Sequence, residues 1–141
     1  MIIETMKVLV VEPEKEPDVK EISSGLSSLQ KEVGGFIEAV YPFEDPVAII
    51  CNEEGKLEGL PLTRALRDED GHVYDIIAGT FLIAGLSEDN FCALDDAQVE
   101  KFSAMYKNPE LFMRFGSRTL VIPAEERAMP DKEKKSMDME R

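Results

Sequence analysis

The 141 residues contain no tryptophan, one histidine and two cysteines. Each scarcity excludes something. Two thiols, Cys51 and Cys92, cannot build a disulfide framework or a four-thiolate zinc site, and cytoplasm is therefore the default compartment. Both sit in apolar surroundings (Ile49-Ile50-Cys51 and Phe91-Cys92-Ala93), which suits inert, partly buried thiols. A single histidine, His72, cannot make a histidine-rich metal site. A Cys–His nucleophile pair would need the fold to bring Cys51 or Cys92 to it. Long apolar runs are also missing. The longest, Ile76 to Leu86, is interrupted by Gly79, Thr80 and Gly85 and falls short of the roughly 20 residues of a membrane span. The N-terminus has no basic start followed by an apolar stretch, so no secretory leader is expected. Met6 offers an alternative start that would make the first five residues dispensable.

Positive charge is scarce as well. Sixteen basic residues stand against 29 acidic ones, a net charge of −13. Residues 124–141 hold six acidic and five basic side chains and so account for only −1, leaving about −12 on the rest. Phosphate backbones and anionic membranes repel such a surface, so direct nucleic-acid or membrane binding is not expected. Solubility is the plain meaning of the charge. A sharper one is an acidic surface that meets a basic partner or imitates DNA.

What is present reads as one globular domain over residues 1–123, followed by a charged, flexible tail over 124–141. Lys7–Val11 is a β-branched strand and the proline-rich stretch 12–18 a loop. Ile22, Leu26, Leu29 and Val33 recur at helical spacing, with Ser23 or Ser24 to cap the start and Gly34-Gly35 to end it. Phe36–Tyr41 and Val47–Cys51 read as strands. Thr63–Arg67 reads as a short helical turn. Tyr74–Leu86 contains the most apolar strand, expected to be central, with Gly79 marking a bulge or a close backbone approach. Asp95 and Gln98 form a capping-box pattern for a second helix with Val99, Phe102, Met105 and Tyr106 on its apolar face, ended by Asn108-Pro109. Glu110–Phe115 adds a helical turn, and Thr119–Ile122 a last strand. The expected fold is α+β: a small, mostly antiparallel sheet of four to five strands with two helices packed on it, in the order β-α-β-β-β-α-β.

No phosphate loop, nucleophile elbow or paired metal ligands appear, and no cofactor is called for. Asp68-Glu69-Asp70-Gly71 resembles the start of a calcium loop, but the twelfth position, which needs glutamate, is Gly79. Asp95-Asp96 and Glu53-Glu54 have plainer roles as a helix cap and a turn. Two segments remain. Glu38 lies in a strand with Phe36 and Val40 on its own face, where a carboxylate is costly unless paired. Arg64 is the matching partner, since guanidinium and carboxylate fit in a two-pronged geometry. Their pair would either be a salt bridge holding residues 60–66 onto the sheet, or form a small polar ligand pocket of Glu38, Asn52 and Arg64.

The stretches LQKEVGGFIEAVYP, NEEGKLEGLPLTRAL and IIAGTFLIAG, within Lys7 to about Pro123, resemble a family of bacterial and phage domains, domain of unknown function 3846. The family's pattern has asparagine before the arginine of its GLPxNR segment. Here Thr63 stands there, which weakens a hydrogen-bonding role at that position. The resemblance implies an accessory protein of phages and conjugative elements and no particular activity. The expected function is thus a binding module of a mobile element, with a protein partner or a small ligand, acting in counter-defence as an acidic mimic or by sequestration. The alternatives are a small enzyme, for which the sequence offers no positive sign, or an assembly component of a phage or conjugation system. Oligomeric state is not legible.

Overall fold

The computed structural model describes residues 4–123; the expected tail lies outside them. Ten strands and two helices follow in the order β1 (Thr5–Val11), β2 (Asp18–Ser23), α1 (Leu26–Val33), β3 (Ile37–Val40), β4 (Val47–Asn52), β5 (Leu62–Arg67), β6 (Val73–Ala78), β7 (Phe81–Leu86), β8 (Phe91–Cys92), α2 (Asp96–Met105), β9 (Glu110–Phe115) and β10 (Arg118–Pro123). The class is α+β with antiparallel pairing throughout, as expected. The sheet is larger than expected. Six strands form it, in the order β2-β1-β7-β4-β3 with β8 beside β7, and β5–β6 and β9–β10 are separate two-stranded sheets.

The three middle strands of the main sheet explain the architecture. β4 is buried at every position and β7 at all but its last. A strand buried on both faces reads as an unbroken apolar run, because each face needs its own cover. On one face Val8, Val10, Ile50 and Leu82 pack with Leu29 and Val33 of α1. On the other, Leu9, Val11, Ile49 and Ile83 pack with Leu66 of β5, Ile77 of β6, Phe102 of α2 and Tyr106 just after it. The result is three layers: α1, the sheet, and a layer of α2 with the β5–β6 hairpin.

Both helix ends behave as the sequence indicates. Gly34, at φ 81°, stops α1 in the left-handed region that costs glycine little. At α2 the Gln98 amide donates to the Asp95 carboxylate at 2.7 Å, and the Asp95 amide donates to the Gln98 side chain at 2.9 Å. The start of α1 differs. Its N-cap is Gly25, with no side-chain cap, and Ile22 belongs to β2, where it still reaches the α1-side core.

Three expectations are corrected. Thr63–Arg67 and Glu110–Phe115 are strands rather than helical turns. The Tyr74–Leu86 run is two strands, because Gly79, at φ 83°, turns the chain between β6 and β7. β7 is central, as expected, but β6 belongs to the outer hairpin. Near the N-terminus, Thr5 pairs with Ser23 and Met6 with Ile22, and Met6 is buried.

Candidate functional site

Arg64 is 1% exposed, the largest of the fully buried side chains. Such a charge needs partners. It finds carbonyls. Nε and an Nη2 hydrogen donate to the Tyr106 carbonyl at 3.2 and 2.8 Å, Nη1 donates to Thr63 O at 2.9 Å, and Nη2 also donates to Lys15 O at 2.6 Å. Four of the five guanidinium hydrogens are thereby used. Tyr106 is the C-cap of α2. A cation on the carbonyl end of a helix satisfies an orphan acceptor and opposes the negative end of the helix dipole. Burial pulls the Arg64 pKa below its free value, and the nearby Glu110 carboxylate opposes that shift.

One side chain thus ties β5 to α2 and to the β1–β2 loop. Its neighbours complete the joint. Thr63 donates its hydroxyl to Gly79 O, so the hydrogen-bonding role expected to be weakened at this position is filled. Glu110 accepts from the Ala65 amide at 2.8 Å and from Arg67 Nη2 at 2.7 Å. The Tyr106 ring packs edge-on to Phe81 with centroids 5.5 Å apart.

The expected Glu38–Arg64 pair does not form. Arg64's hydrogen bonds all go to main-chain carbonyls. Glu38 is exposed on β3, the last strand of the sheet, so water solvates its carboxylate without a partner. Asn52 is buried and serves the backbone: Nδ2 donates to Val33 O at 3.2 Å and Oδ1 accepts from the Glu54 amide at 2.8 Å. It joins the end of α1 to the turn after β4. Glu38 and Asn52 border one small cavity of about 160 Å³ beside Cys51, and Arg64 borders a different one.

That second cavity is an open cleft of about 840 Å³. Arg64 and Tyr106 lie at its base. Its walls come from the β3–β4 loop (Pro42, Phe43), the end of β5 with the turn Asp68-Glu69-Asp70, Tyr74 of β6, and Met105 with Asn108 to Glu110. Tyr74 and Met105 are 57% and 48% exposed. Asp68, Glu69 and Asp70 are all exposed, and among the described residues no lysine or arginine pairs with them. Among the described residues that line the cleft, the arginines are Arg64 and Arg67, and both are engaged as described. Asp68, Asp70 and His72 offer ligand atoms within 4.8 Å of one another, but Asp68 Oδ1 accepts from the Asp70 and His72 amides, each at 2.9 Å, so the turn itself accounts for the cluster. Sequence reasoning weighed this turn only as a calcium loop. Its signal as a cleft wall was the unmatched acidic triplet followed by Tyr74.

Cys51 is buried against the hairpin. Burial pushes its thiol up to about 11, and the Glu38 and Asp75 carboxylates add to the shift. Tyr106 is likewise pushed up, by burial first.

The site is therefore a mixed acidic and aromatic cleft on an antiparallel α+β domain. Residues 6–107 match the family described as Domain of unknown function (DUF3846), and the chain belongs to it. The match stops before β9 and β10. No curated protein and no solved structure matches the chain.

Two outcomes follow. Arg64→Met leaves the Tyr106 and Thr63 carbonyls without their donors and costs about 3–5 kcal/mol of stability, read by urea unfolding; a purely ligand-binding arginine would leave the unfolding curve in place. Cys51 resists iodoacetamide in the native chain at pH 8 and reacts on unfolding, followed by mass spectrometry. The sign for stability is set by the raised thiol: its contribution is full below the ordinary value of 9.0 and is lost as pH climbs from there towards about 11.

Proposed function

We propose that the chain is a protein-binding module whose cleft takes a basic segment of a partner. The observation that carries this reading is the state of the cleft's charges. Arg64 is committed to main-chain carbonyls and Arg67 to Glu110, while Asp68, Glu69 and Asp70 have no lysine or arginine partner among the described residues. Exposed Tyr74 and Met105 stand beside them. A lysine- or arginine-rich segment would meet carboxylates at the rim and an aromatic face for cation–π contact. The net charge of −13 would speed its approach.

Sequestration of an anionic ligand has less support, because the guanidinium groups it would need are already occupied. Catalysis has less support too. Burial raises both Cys51 and Tyr106, the opposite of nucleophile activation. On this reading the chain acts in the cytoplasm as an accessory protein of a phage or other mobile element. It occupies a basic surface of another protein, as a counter-defence factor would, and makes no direct contact with nucleic acid.

The test uses a synthetic peptide of alternating arginine and aromatic residues, titrated by calorimetry. The D68N/E69Q/D70N variant weakens binding about tenfold, the sum of three partly screened ion pairs. The E53Q/E54Q/E58Q variant removes the same charge from the β4–β5 connection and leaves affinity nearly unchanged. Equal losses in both variants would mean diffuse attraction to the whole surface and would end the claim for the cleft.

A further inference from the structure

A second groove, of about 550 Å³, opens beside the cleft, and Tyr74 borders both. It lies between the β5–β6 hairpin, with the connection that precedes it, and the β9–β10 hairpin. Leu60, Leu62, Val73 and Ile76 give it apolar walls. Arg114 and Thr119 are directly opposed across β9 and β10, so they share a face, and both border the groove. Its charged side chains are Lys56, Asp75 and Arg114, a surplus of one positive charge on a chain of −13. Lys56 and Asp75 neutralise each other at 2.6 Å. Arg114 is exposed and forms no ion pair among the described residues. The unpaired charge therefore changes sign across Tyr74. It is acidic at the turn Asp68-Glu69-Asp70 on the cleft side and cationic at Arg114 on the groove side.

We infer that a docked segment runs from the cleft past Tyr74 into this groove, so that the partner is bipolar. It carries basic residues for the acidic turn, then an apolar residue for Leu60 and Leu62 and a carboxylate for Arg114. The inference rests on the reading of the cleft as a docking site for a basic segment. Charge selects the occupant of the groove. A free acidic ligand is repelled by the body of the chain before it reaches a single exposed arginine. A carboxylate carried on a basic segment is delivered by that segment at high effective concentration. The Thr119 hydroxyl, beside Arg114 on the same face, is a second donor for it. A further basic stretch is repelled by Arg114, and a wholly apolar one would leave that guanidinium desolvated without a partner. The groove thus separates partners that the cleft alone would accept alike.

The test is calorimetry on the full chain with the arginine–aromatic peptide, acetylated and amidated. The peptide is extended by glycine, leucine and glutamate, or by glycine, leucine and glutamine, at each end in turn. At one end the glutamate form is expected to bind about threefold more tightly than the glutamine form, the effect of one partly screened ion pair, against the general repulsion of the acidic chain. R114Q, with an unchanged circular dichroism spectrum, makes the two forms equal. D68N/E69Q/D70N weakens both alike and keeps their ratio. If the unextended peptide binds D68N/E69Q/D70N as tightly as wild type, the cleft reading fails and this inference with it. If that peptide responds to the variant but glutamate adds nothing at either end, or keeps its advantage in R114Q, this inference alone is overturned.

Discussion

A buried guanidinium bonded to main-chain carbonyls holds the outer layer of this protein in place. The inner sheet needs no such device, since β1, β7 and β4 cohere through apolar burial on both faces. The β5–β6 hairpin is a separate two-stranded sheet, and no strand ladder joins it or the end of α2 to the main sheet among the described residues. Arg64 links them through the Tyr106 carbonyl and reaches the β1–β2 loop through Lys15 O. Glu14, beside that loop carbonyl, holds a left-handed φ of 63°, a conformation that costs a non-glycine residue about 1–2 kcal/mol. The loop is therefore bent against its own preference where it meets the arginine.

The same joint shapes the cleft. With Arg64 turned inward and Arg67 held on Glu110, the positive charge at the base of the cleft is spent on the fold. What faces solvent is the acidic turn and two half-exposed apolar side chains. A chain with this composition would repel most anions in any case. The clamp on Arg64 and the pairing of Arg67 with Glu110 leave Asp68, Glu69 and Asp70 as the charges of the cleft without a lysine or arginine partner among the described residues.

Much of this was legible beforehand. Long apolar or periodic segments gave their elements correctly: β1, β4, α2 with its capping box, and the glycine stop of α1. Elements without a one-sided pattern were missed. β2 pairs along six positions with β1 yet buries only Ile22, so its sequence shows no alternation. β5 places Thr63 and Arg64 side by side in the interior, where both are satisfied by carbonyls, so its sequence shows no apolar alternation. Arg64 was expected to be paired, but with the Glu38 carboxylate rather than with carbonyls, and its burial was not foreseen. Sequence spacing offers carboxylates as candidates, whereas a helix-end carbonyl becomes available only through tertiary placement. Glu38 misled for the complementary reason. Its apolar neighbours implied burial, but β3 is an edge strand and leaves that carboxylate in water.

We propose the acidic cleft over Arg64 as the docking site of a basic partner. The most direct measurement is a nitrogen–proton correlation titration of the isotope-labelled chain with the arginine–aromatic peptide. Docking in the cleft gives saturable shifts concentrated at Asp68–Tyr74 and Met105–Glu110, with the β4–β5 connection left unmoved. Shifts spread evenly over the acidic surface, or gathered at Glu38 and Asn52, would rule the cleft out as the docking site.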